Sequence, residues 1–129
     1  MSTKSYIELA KIYVALSNGH NLKSIKAMFV SDATYHSSYV GEYKGSAAIH
    51  AMITSFFTRF PDVQWDVSEY RSIDNEGVEF DFVMTATDAA FNEPVKRHGT
   101  ECIYFTPDNM ISHISVSHQT DKADQSIDA

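Results

Sequence analysis

Apolar residues fill most positions from 5 to 17, while Lys4, Glu8, Lys11 and Asn18 make one thin polar stripe. That is the pattern of a helix covered on most of its sides. Asn18-Gly19 is expected to end it, with glycine taking the left-handed cap conformation at no steric cost. Asn21 can cap a second, short helix whose Leu22, Ile25, Met28 and Phe29 face one way. Residues 33 to 39 then alternate as a strand. Gly45 and Ser46 open a third helix, with Ser46 the expected N-cap. Its Ile49, Met52, Ile53, Phe56 and Phe60 share one face, and Pro61 stops it.

Beyond Pro61 the apolar period drops to two. Val63, Trp65 and Val67 alternate with polar residues, and "DNEG" at 74 to 77 predicts a hairpin turn. Val78, Phe80, Phe82, Met84 and Ala86 form one apolar face. A polar loop through Glu93-Pro94 leads to a strand over 95 to 105, and "TPDN" at 106 to 109 turns into a last strand from Met110 to about His118. Three helices feeding a long meander predict an α+β domain, a cone-shaped α+β barrel with the helices packed on a curved, mainly antiparallel sheet. Such a sheet can enclose a ligand. The expected layout is one domain over 1–119 and a flexible acidic tail over 120–129.

Composition acts mainly by exclusion. The net charge of -7 over 129 residues, with scattered basic positions, speaks against a nucleic-acid partner. No signal peptide is visible, and no run approaches the roughly 20 apolar residues that span a bilayer. A soluble cytoplasmic protein with no membrane partner is expected. Cys102 is the sole cysteine, so no internal disulfide or four-ligand zinc site follows from spacing. His113 and His118 lie five apart and face opposite ways on a regular strand, while His20, His50 and His98 fall in a loop, on an exposed helix face and on the outer sheet. Neither a metal nor a cofactor is expected. No dinucleotide, phosphate-loop, zincin or nucleophile-elbow motif occurs. "GEYKG" at 41 to 45 reads as a turn into the third helix.

The chemically rich stretch is "DATYHSSYVGEYKG" at 32 to 45. Alternation puts Ala33, Tyr35, Ser37 and Tyr39 on one face, and Thr34, His36 and Ser38 on the other. Glu101 shares a face with Gly99, Ile103 and Phe105, which carries a carboxyl group to the apolar side. Desolvation there would raise its pKa and leave a neutral acid able to donate a hydrogen bond. The competing reading pairs Glu101 with Arg97 on the same face or with Arg71 on a neighbouring strand. Tyr13, in phase with Tyr6, Leu9 and Leu16, is either a pocket residue or a core tyrosine with a backbone partner.

"FVSDATYHSSYVGEYKGSAAIHAM" followed by "FFTRFPDVQWDV", and later "GTECIYFTPDNMISHISV", resemble the SnoaL-like branch of the nuclear transport factor 2-like superfamily over about residues 5 to 118. The resemblance extends to polyketide cyclases and steroid isomerases. It implies that Tyr13 matches the isomerases' first-helix tyrosine and Glu101 their protonated acid. Their proton-moving aspartate falls on Ser37, a departure that leaves no base there and turns His36 outward. His118, in phase with Ile114 and Val116, is implied at the pocket mouth, where an imidazole suits proton transfer; otherwise it is a solvated strand-end histidine. The implied set is catalytic Glu101, Tyr13 and His118, in a pocket lined by Tyr35, Ser37, Trp65, Phe80, Phe82, Met84, Ile103, Ile114 and Val116. The implied function is a cofactor-independent isomerase, cyclase or dehydratase acting on a small apolar or carbonyl-bearing ligand. The alternative is a non-catalytic binding domain of the same fold. A homodimer through the outer sheet face, around Cys102 and Tyr104, is implied under both.

Overall fold

Ser5 opens the first helix, α1 (Tyr6–Asn18), through a capping box. Its hydroxyl accepts the Glu8 N–H at 3.1 Å, and its own N–H donates to Glu8 Oε1 at 3.0 Å. The end of α1 departs from expectation. Gly19 stays right-handed at φ -85°, and His20 carries the positive φ of 55°. Packing holds His20 there, because its ring stacks on Phe57 at 4.5 Å and its Nε2 lies 2.8 Å from the Val63 carbonyl. Asn21 caps α2 (Leu22–Ala27) by accepting the Ser24 N–H. The N-cap of α3 (Ser46–Arg59) is Gly45 rather than Ser46, with no side-chain bond. Gly45 has φ 90°, a conformation that leaves little choice but glycine.

The strands are β1 (Phe29–Ser37), β2 (Gly41–Lys44), β3 (Gln64–Ile73), β4 (Gly77–Asp88), β5 (Glu93–Phe105) and β6 (Ile111–His118). They form one curved, unclosed sheet in the order β2-β1-β6-β5-β4-β3. Every neighbouring pair is antiparallel except β1 and β6, which run parallel. "GEYK" corrects the expected turn: it is strand β2, paired from Lys44 opposite Thr34 to Gly41 opposite Ser37. This computed structural model describes residues 5–74 and 76–118. The acidic tail expected over 120–129, and Asn75 of the "DNEG" turn, lie outside the described residues.

The helices cover the inner face. Ala10, Tyr13 and Val14 of α1 and Ile49, Ile53 and Phe57 of α3 are buried with Phe80, Phe82, Met84, Ile103 and Ile114 of the sheet. The Val, Ile, Phe and Met side chains among them each contribute roughly 1.5–3 kcal/mol on full burial, which outweighs any single surface pair. Polar contacts set where the helices sit. Asn18 grips β3, its Nδ2 donating to the Trp65 carbonyl at 3.0 Å and its Oδ1 accepting the Trp65 N–H at 2.7 Å. On the outer face, Arg71 pairs with Glu79 at 3.1 Å and Asp81 at 3.3 Å. Among the described residues no helix is long and apolar enough to cross a membrane.

Candidate active site

A cavity of about 70 Å³ lies between the helices and the sheet. Strand alternation builds its floor. On β5, Arg97, Gly99, Glu101 and Ile103 point inward; on β4, Phe80, Phe82 and Met84 do the same. Gly99 stands opposite Phe82, and a Cβ there would come within 2.5 Å of Phe82 Cζ. Glycine therefore lets the Phe82 ring lie across β5.

Glu101 is the deep polar group. It is buried, lines the cavity, and finds no hydrogen-bond or ion-pair partner among the described residues. Neither proposed arginine reaches it: Arg71 is engaged on the outer face, and Arg97 packs against the rings of Tyr39 and Phe60. Burial pushes its carboxyl up to about 8, so the neutral acid dominates at neutral pH. Tyr13 and Tyr35 also line the cavity. Their phenols are raised first by burial and then by the charge Glu101 would carry, so both keep their protons. Three side chains that carry an O–H thus line one largely apolar cavity and act on one another electrostatically, and each O–H can donate to a ligand oxygen.

Ser37 is buried and lines the cavity. Its Oγ accepts the Tyr39 N–H at 3.0 Å, closing the turn that follows β1. Tyr39 then reaches over the sheet and donates its hydroxyl to the His98 carbonyl at 2.8 Å. His36 is exposed, as the strand phase requires.

Of the residues expected to line the pocket, Tyr35, Ser37, Trp65, Phe80, Phe82, Met84 and Val116 do so. Ile103 and Ile114 do not: both are fully buried in the core. His118 is not among the lining residues either. It is exposed, with its ring edge-on to Tyr39 at 5.4 Å, and so stands one side chain removed from the wall. Sequence reasoning missed the α3 wall of Met52, Ile53, Phe56 and Phe57, and the mouth residues Tyr39, Val40 and Arg97. The α3 face was legible as apolar. Nothing local said that it covers a void rather than filling it. Among the described residues, no group of three or more His, Cys, Asp or Glu side chains is placed to hold a metal ion.

An α+β fold with helices over a curved sheet, and a buried acid inside it, is the frame of a small-ligand pocket. The SnoaL-like domain model matches residues 10–114, and the chain belongs to that family, within the nuclear transport factor 2-like superfamily. No curated protein matches the chain. Among solved structures, it is similar to SalBIII, an epoxide hydrolase/cyclase-like enzyme with a role in pyran ring formation in the polyether salinomycin. That match has 20% identity, covers 88% of this chain and 89% of that one, and has a TM-score of 0.78. A Mycobacterium tuberculosis protein in complex with estradiol-17β-hemisuccinate is 10% identical over 88% of this chain and 93% of its own, with a TM-score of 0.76. A Catenulispora acidiphila protein of ketosteroid isomerase-like fold, in complex with trimethylamine, is 15% identical over 84% and 83%, with a TM-score of 0.75. At these identities the likeness establishes the fold.

Proposed function

We propose that the chain is a small-molecule enzyme that works without a cofactor on a carbonyl compound, by isomerisation, cyclisation or dehydration. One observation carries the reading: the buried, unpartnered carboxyl group of Glu101 shares an aromatic cavity with the hydroxyls of Tyr13 and Tyr35. A ligand oxygen placed among them accepts up to three hydrogen bonds that strengthen as negative charge grows on it. Electron density drawn into that oxygen acidifies the neighbouring C–H. It equally exposes the carbon to attack by a hydroxyl of the same molecule, or helps a β-hydroxyl leave. The carbon-bound proton passes to water or to a group of the substrate, because Ser37 offers no base and His118 does not line the cavity. A role of SalBIII in ring formation is in keeping with the cyclisation branch.

Proton exchange tests this reading. A panel of methyl ketones and β-hydroxyketones in heavy water should exchange α-protons faster with the protein than in buffer, and Glu101→Gln should remove the gain. An unchanged rate in that variant would contradict it. The serine at position 37 favours a second reading, a non-catalytic binder, for which ligands come back chemically unaltered and unexchanged.

The working unit in this proposal is a domain over 1–119 in the cytoplasm, dimerised through the outer sheet face that carries Cys102 and Tyr104. Light scattering on the purified chain reads the dimer directly.

A further inference from the structure

Arg97 stands where the cavity opens. It precedes Glu101 by four residues on β5 and shares its face, about 13 Å away along the strand by the usual rise. It lines both the inner cavity and a wider surface groove of about 550 Å³ that shares Tyr39, Val40, Met52 and Phe56 with it. The guanidinium lies over the Tyr39 ring at 4.6 Å and the Phe60 ring at 5.3 Å. The chain has three arginines. Arg59 takes Asp88 at 2.7 Å, and Arg71 takes Glu79 and Asp81. Arg97 alone makes no ion pair with a carboxylate among the described residues; Asp88, held by Arg59, acts on it only at longer range. In a chain with 17 acidic residues, that is not for want of acids. Partial burial lowers its pKa, and the opposing pull of Tyr39 and of the more distant Asp88 does not make up for the lost water.

We infer that Arg97 is an anion subsite at the mouth of the cavity, and that the ligand is an elongated carbonyl compound ending in a carboxylate. The carboxylate meets Arg97, the apolar chain passes between Met52, Phe56 and Phe82, and the carbonyl oxygen lies at Glu101, Tyr13 and Tyr35. With a hydrogen bond at each end, the spacing suits about five carbons between the carboxylate and carbonyl carbons. A monoanion fits better than a phosphate, since the second arginine on the groove is already neutralised by Asp88. The assignment of the carbonyl end rests on the function proposed above; the anion subsite stands on Arg97 itself.

The test is calorimetry on the full chain with 7-oxooctanoate, its methyl ester and octanoate. The oxo acid should bind about tenfold or more tightly than the ester, the worth of one charge-assisted pair. Added salt should weaken the acid and leave the ester alone. Arg97→Gln should erase the preference while keeping the ester's affinity; Arg97→Lys, which keeps the charge, should retain part of it. Equal affinity for acid and ester, a preference that survives Arg97→Gln, or no binding of the oxo acid overturns the inference. Should octanoate bind as well as the oxo acid and Glu101→Gln change neither, the anion subsite stands and the carbonyl reading fails.

Discussion

Ser37 and Glu101 lie on one rung of the sheet, separated only by Val116. Ser37 of β1 is opposite Val116 of β6, which is opposite Glu101 of β5. All three are buried. Two strand spacings put the serine and the acid on the order of 10 Å apart. A ligand between helices and sheet can therefore meet an acid at one end of the rung, with only a hydroxyl at the other. In the function proposed above, the acid donates a hydrogen bond and the rung holds no carboxylate that could take a proton.

Ser37→Asp should supply the missing base. Aspartate can still accept the Tyr39 N–H that Ser37 accepts, so the turn is preserved. The expected outcome is α-proton exchange at least about tenfold faster than wild type, within the usual gain from a positioned base. The new carboxylate should also push Glu101 further up, by like-charge repulsion. NMR exchange rates on the same ketone panel check this.

Glu101 should make the protein less stable as pH rises. Its folded pKa of about 8 lies above the 4.5 of a free glutamate, so between those values the folded state holds a proton that the unfolded state has lost. Unfolding free energy falls across that window, by at most about 1.4 kcal/mol per pH unit. Glu101→Gln, which has no proton to lose, should gain on wild type from pH 5 to pH 9. Denaturant melts at both pH values check the sign, and equal stability differences at the two would contradict it.

Much of this was legible in the sequence, and the failures have physical causes. The β4 and β5 alternation brought Glu101 inward because the pairing of these two strands runs without a bulge from Gly77 opposite Tyr104 to Asp88 opposite Glu93. The "GEYK" strand was missed because four residues between glycines carry too little pattern, and its partner is set by the sheet. The Gly19 cap failed because tertiary contacts hold His20 in the left-handed conformation instead. Arg97 was visible on Glu101's face, but only the fold sets Tyr39 and Phe60 against it in place of a carboxylate. His118 has the right phase and still misses the cavity, since Tyr39 packs across its ring.

Tyr13→Phe and Tyr35→Phe should each lower catalysis by about ten- to a thousandfold, the range for losing one donor to a developing oxyanion. Stability should change little in Tyr35→Phe, whose hydroxyl has no hydrogen-bond partner among the described residues, and somewhat more in Tyr13→Phe, whose hydroxyl bonds the Ser17 side chain. Turnover beside thermal melts separates the two effects.

Gly99→Ala should be costly despite its small size. The new methyl group meets Phe82 Cζ at 2.5 Å and the Ser117 carbonyl at 2.9 Å, and the backbone oxygen cannot swing away. A loss of about 1–3 kcal/mol is expected from overpacking, with ligand affinity falling as Phe82 tilts into the cavity. Chemical denaturation and a binding titration check both.

Glu101 should be a neutral acid inside the cavity at neutral pH. Carbon-13 NMR of the glutamate side-chain carboxyls, with Glu101→Gln assigning the signal, follows its titration directly. A midpoint near 8 is expected. A midpoint in the ordinary range of about 4 to 5 would contradict it.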